Sequence, residues 1–582
     1  MNSGMKHRVI VENCCKATVD KITWERIFLT FEVTVEYPNN PTPDIPLIFY
    51  LVNEEYGAEA RFKQEQLGGG RYRLTLNITN QGENRCVSFG QYALVACQGE
   101  RALASCEVST DLVSELDAAS RNFLYAGRKR VYTITFFVEE GDDTLPFVMY
   151  VMPASKVGII FPQAKMFQRT PWSLKSSLNK NRRPFLRAVY RFYRKRYRKN
   201  KNTILFMTEQ NQSLGGNQLA VMKRMKERGM DQEYTILTSA RPAAAESQPM
   251  KTWFQVIKKM AMSNIIFVDD HAPILDWMFL DRETRVVQLW HAGAGFKSSG
   301  YSRWGHEGCP SPFSAHRQYR YGIAGSKSIA PFFSEVWGIN DEQVLPTGMP
   351  RIDEFLNPEY KKAKIKELYE KYPVCKGKKV ILFAPTYRGR NKKTAYYPYE
   401  LIDFERLYQV CGDEYVVLFK MHPWVPTAVP IDEKYKDKFV DVNKYPNIND
   451  LFYFTDLLIT DYSSNIFEYS LMGNPMLFFA FDKIQYSFSR GFHRPYEESA
   501  PGKVCYTFDE ILKAIAGKDF EQEKVKKYVE HHFDHIDSNS SDRVIDWIVL
   551  DKLPREIRDE LKAVEDANQA MHKMVFTFEE QV

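Results

Sequence analysis

Between Asn202 and about Leu550 the chain alternates continuous apolar runs with helical patterns, and this alternation limits the fold more than any other feature of the sequence. A first series reads TILFM (203 to 207), YTILT (234 to 238), NIIFVDD (264 to 270) and RVVQLW (285 to 290), separated by helical stretches such as NQLAVMKRMKERG. A second series follows a charged helix around 358 to 371 and reads KKVILFAPT (378 to 386), YVVLFKMHP (415 to 423), DLLITDYSS (456 to 464) and PMLFFAFD (475 to 482). A strand that is apolar on both sides has no face to show to water, so each run belongs in a parallel sheet covered by helices on both faces. Two such series in tandem predict an α/β fold with two Rossmann-like domains facing across a cleft.

The amino-terminal part has another texture. Runs such as ITWERIFLTFEVTVEY, IPLIFYLV, RYRLTLNIT, YALVAC and VYTITFFV are broken by turn material, PNNPTPD, QLGGG and EEGDD. Short alternating runs at this spacing predict an antiparallel β-sandwich or barrel, and no catalytic cluster falls within it. The expected organisation is a β-rich domain over 1–160 and a basic, aromatic helical segment over 161–201. A first Rossmann-like domain over 202–356, a second over 357–560 with closing carboxyl-terminal helices, and a tail over 561–582 complete the chain.

Charge is concentrated rather than spread. The 582 residues carry a formal net charge of +6, yet fourteen basic and no acidic residues lie between Lys165 and Lys201, leaving −8 for the rest. Trp172, Phe185, Tyr190, Phe192, Tyr193 and Tyr197 are interleaved with these cations, and Pro184 to Lys199 has helix-forming composition with Pro184 near its start. Cations on one side and aromatics on the other suit an anionic membrane leaflet, at about 1 kcal/mol per basic residue near the surface. A solvated linker and nucleic-acid binding are the weaker readings. Nine cysteines without metal-type spacing read as free thiols of a reducing compartment. The amino terminus lacks a signal-peptide core, and no run reaches the roughly 18 apolar residues of a membrane span. Membrane contact is therefore expected to be peripheral.

Ligands of open α/β sheets bind outside the carboxyl ends of the strands, and four strand ends carry reactive side chains. In QLWHAGAGFKSSG, His291 follows the strand and suits a general base, while Gly293, Gly295 and Gly300 open the backbone to close approach; a structural histidine remains the alternative. In FAPTYRGR, Thr386 and Arg388 stand at a strand end, where the planar guanidinium fits phosphate oxygens or, equally, a carboxylate. In LFKMHPWV, Lys420 and His422 offer point donors, unless Lys420 is a surface charge. In ITDYSSNIFEYSLMGNP, Asp461 ends the strand and Ser463 and Ser464 open a helix running to about Met472, an anion site or a simple helix cap. Asp269, Asp270 and His271 are adjacent in sequence and converge poorly on one ion, so no metal site is expected.

These motifs, together with PTGMPRIDEF (346 to 355) and PGKV (501 to 504), resemble the CDP-glycerol glycerophosphotransferase family over about residues 200 to 550. The variant WHAGAGFK (290 to 297), with DKITWERI and TAYYPYELIDFERL, is most similar to poly(ribitol-phosphate) polymerases of wall teichoic acid synthesis. The resemblance implies a GT-B fold and transfer of polyol phosphate from CDP-ribitol or CDP-glycerol to a lipid-linked polyol-phosphate acceptor, with CMP released. It implies peripheral attachment at the cytoplasmic face of the membrane and no cofactor or metal. His291 would be the base and His422 would hold or protonate the phosphate. Arg388, Ser463 and Ser464 would bind the pyrophosphate, with Thr386, Lys420, Asp461, Arg351 and Glu468 in the donor pocket. Gly295 and Lys297 would contact acceptor or loop, and Arg187, Arg191, Arg194, Lys195, Arg196 and Arg198 the anionic leaflet. A nucleotide-sugar glycosyltransferase and a non-catalytic, membrane-docked polymer-binding protein are the alternatives.

Overall fold

The computed structural model describes residues 7–37, 46–139, 144–155, 174–197, 202–242, 249–389 and 392–580. All eight apolar runs of the two series form strands, joined by four that carry no such run: Tyr319–Ile323, Val344–Leu345, Phe439–Asp441 and Lys503–Cys505. The first sheet has the order Thr235–Ala240, Thr203–Thr208, Ile265–Val268, Arg285–Gln288, Tyr319–Ile323, Val344–Leu345, with every neighbour parallel. The second runs Phe439–Asp441, Tyr415–Phe419, Lys379–Phe383, Leu457–Thr460, Met476–Phe479, Lys503–Cys505, also parallel throughout. In chain order this second sheet is 3-2-1-4-5-6. Its order therefore reverses between Lys379–Phe383 and Leu457–Thr460, and the loops diverging there open a crevice at their carboxyl ends.

The amino-terminal strands form a five-stranded and a seven-stranded sheet. Alternation drives their packing: Phe28–Glu36 buries every second residue, and Phe31 meets Phe147 of the other sheet edge to face at 5.4 Å. The core between them also takes Tyr301 and Trp304 from the first α/β region, with Trp304 stacked on Phe123 at 5.0 Å. A buried ion-pair chain makes a second junction. Arg26 Nε donates to Glu335 at 2.8 Å, and His493 Nε2 lies 2.5 Å from the same carboxylate.

Two expectations need correction. The basic helix is Leu174–Tyr197, beginning ten residues before Pro184, which lies inside it. Leu186 and Tyr190 anchor it among Trp253, Ile257 and Met260 of the helix Met250–Met262, so packing outweighs the hydrogen bond that proline removes. The segment 561–582 is no tail. The helix Arg555–Lys573 runs through its start, and Phe578–Glu580 pairs antiparallel with His7–Val9 at the other end of the chain. Met571 and Met574 are buried with Val9, Tyr50 and Val95, so apolar burial draws this end back onto the β-rich part.

Candidate active site

The strand Arg285–Gln288 leads to Trp290, whose φ of 50° places it in the left-handed region. Asn217 Nδ2 holds this bend by donating to the carbonyls of Leu289 and Trp290 at 2.8 and 2.9 Å. The bend turns His291 outward with 53% of its side chain exposed. Its Nδ1 lies 3.0 Å from the Asp269 carbonyl. A carbonyl only accepts, so Nδ1 carries the proton and Nε2 presents its lone pair. Asp270 Oδ2 lies 3.6 Å from the same Nδ1. Asp269 and Asp270 thus serve His291, while His271 Nε2 pairs with Asp276 at 3.0 Å.

The glycines of this loop admit protein rather than ligand. A Cβ on Gly293 would lie 2.5 Å from the Phe467 ring, and on Gly295, at φ 65°, 3.2 Å from Phe332. Gly295 is therefore a packing contact with the helix Ala330–Trp337 of its own half, and Gly293 seats the His291 loop against Phe467 of the helix Ile466–Ser470.

Across the crevice, the Trp424 N–H donates to His422 Nδ1 at 3.2 Å. Neutral His422 therefore carries its proton on Nε2, the opposite tautomer to His291. Its ring stands 4.7 Å from Tyr387. Burial lowers its pKa and the nearby Lys297 ammonium lowers it further, against the pull of Asp461. Lys297 lines a cavity with Tyr387, the ring neighbour of His422. Enclosure by protein pushes its ammonium down to about 8, with Asp461 opposing and Arg490 and Arg388 adding to the fall.

Several expected ligand-holding residues are spent on each other. Arg388 is buried between two carboxylates, Nη1 to Asp461 at 2.9 Å and Nε to Asp482 at 2.6 Å, so it cannot also clamp a pyrophosphate with its fork. Burial opposes its charge, but the two carboxylates win and hold its pKa above the ordinary value. Asp461 Oδ1 also accepts from the Thr386 N–H and hydroxyl at 2.8 and 2.9 Å. The Lys420 ammonium donates to the Asn443 carbonyl at 2.7 Å. Arg351 donates to Glu468 at 2.7 Å and also to the His291 carbonyl, so this pair positions His291 and ties the two sheets together. These groups are architectural because each strand end buried its charge, and buried charge demands a partner.

The serine loop is also less than expected. Its helix is Ile466–Ser470, with Asn465 at the N-cap position but no side-chain cap, and it is too short for a strong terminal dipole. Ser463 is buried, its Oγ accepting from Asn465 N at 3.3 Å, whereas Ser464 is exposed. On the basic helix, Arg191, Lys195 and Arg196 are exposed beside Phe192, itself 71% exposed. Arg187 donates to the Trp277 carbonyl at 2.6 Å and covers the exposed Phe279 ring at 5.0 Å. Arg194 departs from the expected leaflet-facing set: it is buried among the carbonyls of Ala261 and Ser263. Arg198 lies outside the described residues.

A cavity of about 1210 Å³ adjoins the crevice, lined by Lys297, Tyr387 and Arg388 but by neither His291 nor His422. Tyr387, Asn217 and Arg490 were missed by sequence reasoning. Tyr387 stands within the FAPTYRGR run, whereas Asn217 and Arg490 lie where no strand-end signal points. Among the described residues, no group of three or more His, Cys, Asp or Glu side chains is placed to hold a metal, and no helix is long and apolar enough to cross a membrane.

Teichoic acid ribitol-phosphate polymerase TarL of Staphylococcus aureus (strain NCTC 8325 / PS 47) is 37% identical over 421 residues, 72% of this chain and 74% of that protein. The teichoic acid poly(ribitol-phosphate) polymerase of Bacillus spizizenii (strain ATCC 23059 / NRRL B-14472 / W23) is 39% identical over 364 residues, 62% of this chain and 58% of that one. A solved structure of the wall teichoic acid polymerase TagF aligns over 67% of this chain and 100% of that chain, at 20% identity and a TM-score of 0.49. The profile of a family described as CDP-Glycerol:Poly(glycerophosphate) glycerophosphotransferase matches residues 188–550, from the basic helix through both parallel sheets. With both sheets and the two histidine-bearing strand ends inside that match, the chain belongs to the CDP-glycerol:poly(glycerophosphate) glycerophosphotransferase family.

Proposed function

We propose that this polyol-phosphate transferase moves the alditol phosphate of a CDP-alditol, ribitol in preference to glycerol, onto the terminal hydroxyl of a membrane-anchored polyol-phosphate chain. The two parallel sheets act as the halves of a GT-B enzyme, with donor and acceptor meeting in the crevice between them. The observation that carries this reading is the opposed tautomers of two histidines, each following a strand end of one of the two parallel sheets: His291 offers a lone pair, His422 a proton.

His291 Nε2 takes the proton of the attacking hydroxyl. The oxygen forms a bond to the donor's β-phosphorus, and the bond from that phosphorus to the bridging oxygen breaks, CMP leaving with the electron pair. His422 Nε2–H and the Lys297 ammonium stabilise charge building on the transferred phosphoryl oxygens, preorganised before the reaction begins. Protein cations supply this charge without a resident cofactor or metal. Arg351 and Glu468 keep His291 in register, and the exposed Ser464 remains available to the donor. The exposed cations and aromatics of Leu174–Tyr197 support docking on the cytoplasmic face of an anionic leaflet, where a lipid-linked acceptor would be met.

The test is CMP release from CDP-ribitol and from CDP-glycerol, each with a lipid-linked polyol-phosphate acceptor. Faster release from CDP-ribitol is expected, and release in excess EDTA should be unchanged. Absence of CMP from both donors would overturn the reading.

A further inference from the structure

Three parts of the chain build the large cavity. Arg26 and Arg128 come from the β-rich part, Lys297 and Arg303 from the loop after His291, and Arg490 and Arg494 from the segment after the strand Met476–Phe479. Arg128 apart, its cations fall into two groups. Arg26, Arg388 and Lys483 are each neutralised by carboxylates, Glu335, Asp461 with Asp482, and Glu497. Lys297, Arg303, Arg490 and Arg494 have no carboxylate within ion-pair distance among the described residues. Arg303 donates to the Glu307 carbonyl at 2.7 Å, Arg490 to the Tyr387 hydroxyl at 3.0 Å, and Arg494 to the imidazoles of His531 and His532 at 3.1 and 3.3 Å. Neutral acceptors orient these guanidinium groups without cancelling their charge.

Among the described residues, four cations without an ion-pair partner stand around one cavity against the single unpaired carboxylate of Glu307 in its lining, and like charge held together favours a compensating anion. The volume exceeds what one phosphate needs. The walls lead inward to Tyr387, whose ring abuts His422, and outward to the β-rich part. A ligand that fits is long, flexible and repeatedly anionic.

We propose that this cavity binds the phosphodiester backbone of the acceptor chain, with Lys297, Arg303, Arg490 and Arg494 meeting successive phosphates. The β-rich part, through Arg26 and Arg128, forms the outer wall of the channel, so its role is to hold polymer while the chain end reaches the crevice where His291 awaits its hydroxyl. This deepens the reading of the protein as a polyol-phosphate transferase and rests on it. Nucleotide pyrophosphate shares the same chemistry, so the experiment separates the two sources.

Binding of soluble poly(glycerol phosphate), short and long, and of CDP-ribitol is measured calorimetrically on the full chain and on the double variant Arg303→Gln with Arg490→Gln. Removing two guanidinium–phosphate hydrogen bonds should weaken polymer binding by about tenfold or more and flatten its salt dependence, with CDP-ribitol affinity unchanged. Long polymer should lose more than short. Weaker CDP-ribitol binding with intact polymer binding would assign the cavity to the donor, and no change in either would make it a solvated pocket; both overturn the proposal. Arg→Lys at both positions should restore most polymer affinity. Should the double variant not fold, Arg128→Asn gives the same readout from a surface turn, since asparagine tolerates the φ of 64° there; unchanged polymer binding by it would then overturn the outer-wall role and the proposal with it. Because polymer binding is read without turnover, a wild type that binds polymer but releases no CMP would sink the transferase reading alone. Normal CMP release with variant-insensitive polymer binding would sink this inference alone.

Discussion

At the scale of single residues, two groups of side chains look alike in sequence and act differently. His291 is held at Nδ1 by a carbonyl and keeps Nε2 free, so His291→Ala should lower CMP release by about a thousandfold while thermal unfolding stays in place. A stable and active variant would remove His291 from the reaction. Arg388, by contrast, neutralises two buried carboxylates. Arg388→Ala leaves them facing each other unpaired, and should cost about 3 to 5 kcal/mol in denaturant unfolding rather than act only on donor affinity. Lys297 adds a pH signature. Its ammonium, held near 8 by enclosure, is charged below that pH and neutral above it. Affinity for phosphate ligands should therefore fall as pH rises through about 8, and Lys297→Gln should flatten that limb of the binding profile.

At the scale of elements, the basic helix divides its charges between two tasks. Arg194 is buried and holds the carbonyl ends of neighbouring segments, whereas Arg191, Lys195 and Arg196 face outward beside Phe192. Replacing the three exposed cations by Gln and Phe192 by Ser should reduce flotation with anionic vesicles, by about 1 kcal/mol per cation removed, with no change in melting temperature. Arg194→Gln should do the reverse. Equal vesicle binding in both variants would mean that the helix is only a strut. The short helix Ile466–Ser470 matters differently, since Phe467 fills the space that Gly293 leaves and links the His291 loop to the second sheet.

At the scale of the molecule, the β-rich part is joined to the α/β body rather than tethered to it. Trp304, the Arg26–Glu335–His493 chain and the returning carboxyl-terminal helix make three separate joints. Burial lowers the His493 pKa below its usual 6.5, against the pull of Glu335. Glu335 lies below its own usual value because hydrogen bonds from His493 and Arg26 outweigh burial. Both groups therefore bind fewer protons folded than unfolded, so the stability they contribute is present at neutral pH and drains away as pH falls below 6.5. Melting temperature should decline with acid more steeply in the wild type than in His493→Gln. Met571→Asp, which buries a charge beside Val9 and Tyr50, should raise hydrogen exchange in the amino-terminal strands, far away in sequence.

Much was legible in the chain alone, for a physical reason: a strand buried on both faces must be apolar throughout, so TILFM, NIIFVDD or DLLITDYSS declares its environment. The runs therefore established two parallel sheets, and their ends located His291 and His422, because strand ends are where side chains meet the crevice. Short edge strands such as Val344–Leu345 carried too few residues for any pattern. Partner choice was not legible either. Whether Arg388 meets phosphate or carboxylate depends on Asp461 and Asp482, 73 and 94 residues away, and only the folded chain brings them together. The same holds for the cationic cavity, whose walls come from three distant segments, and for the carboxyl-terminal strand that pairs with the first. Local sequence determined which residues had to be buried or exposed, whereas tertiary structure decided which buried charges cancelled and which were left to meet a ligand.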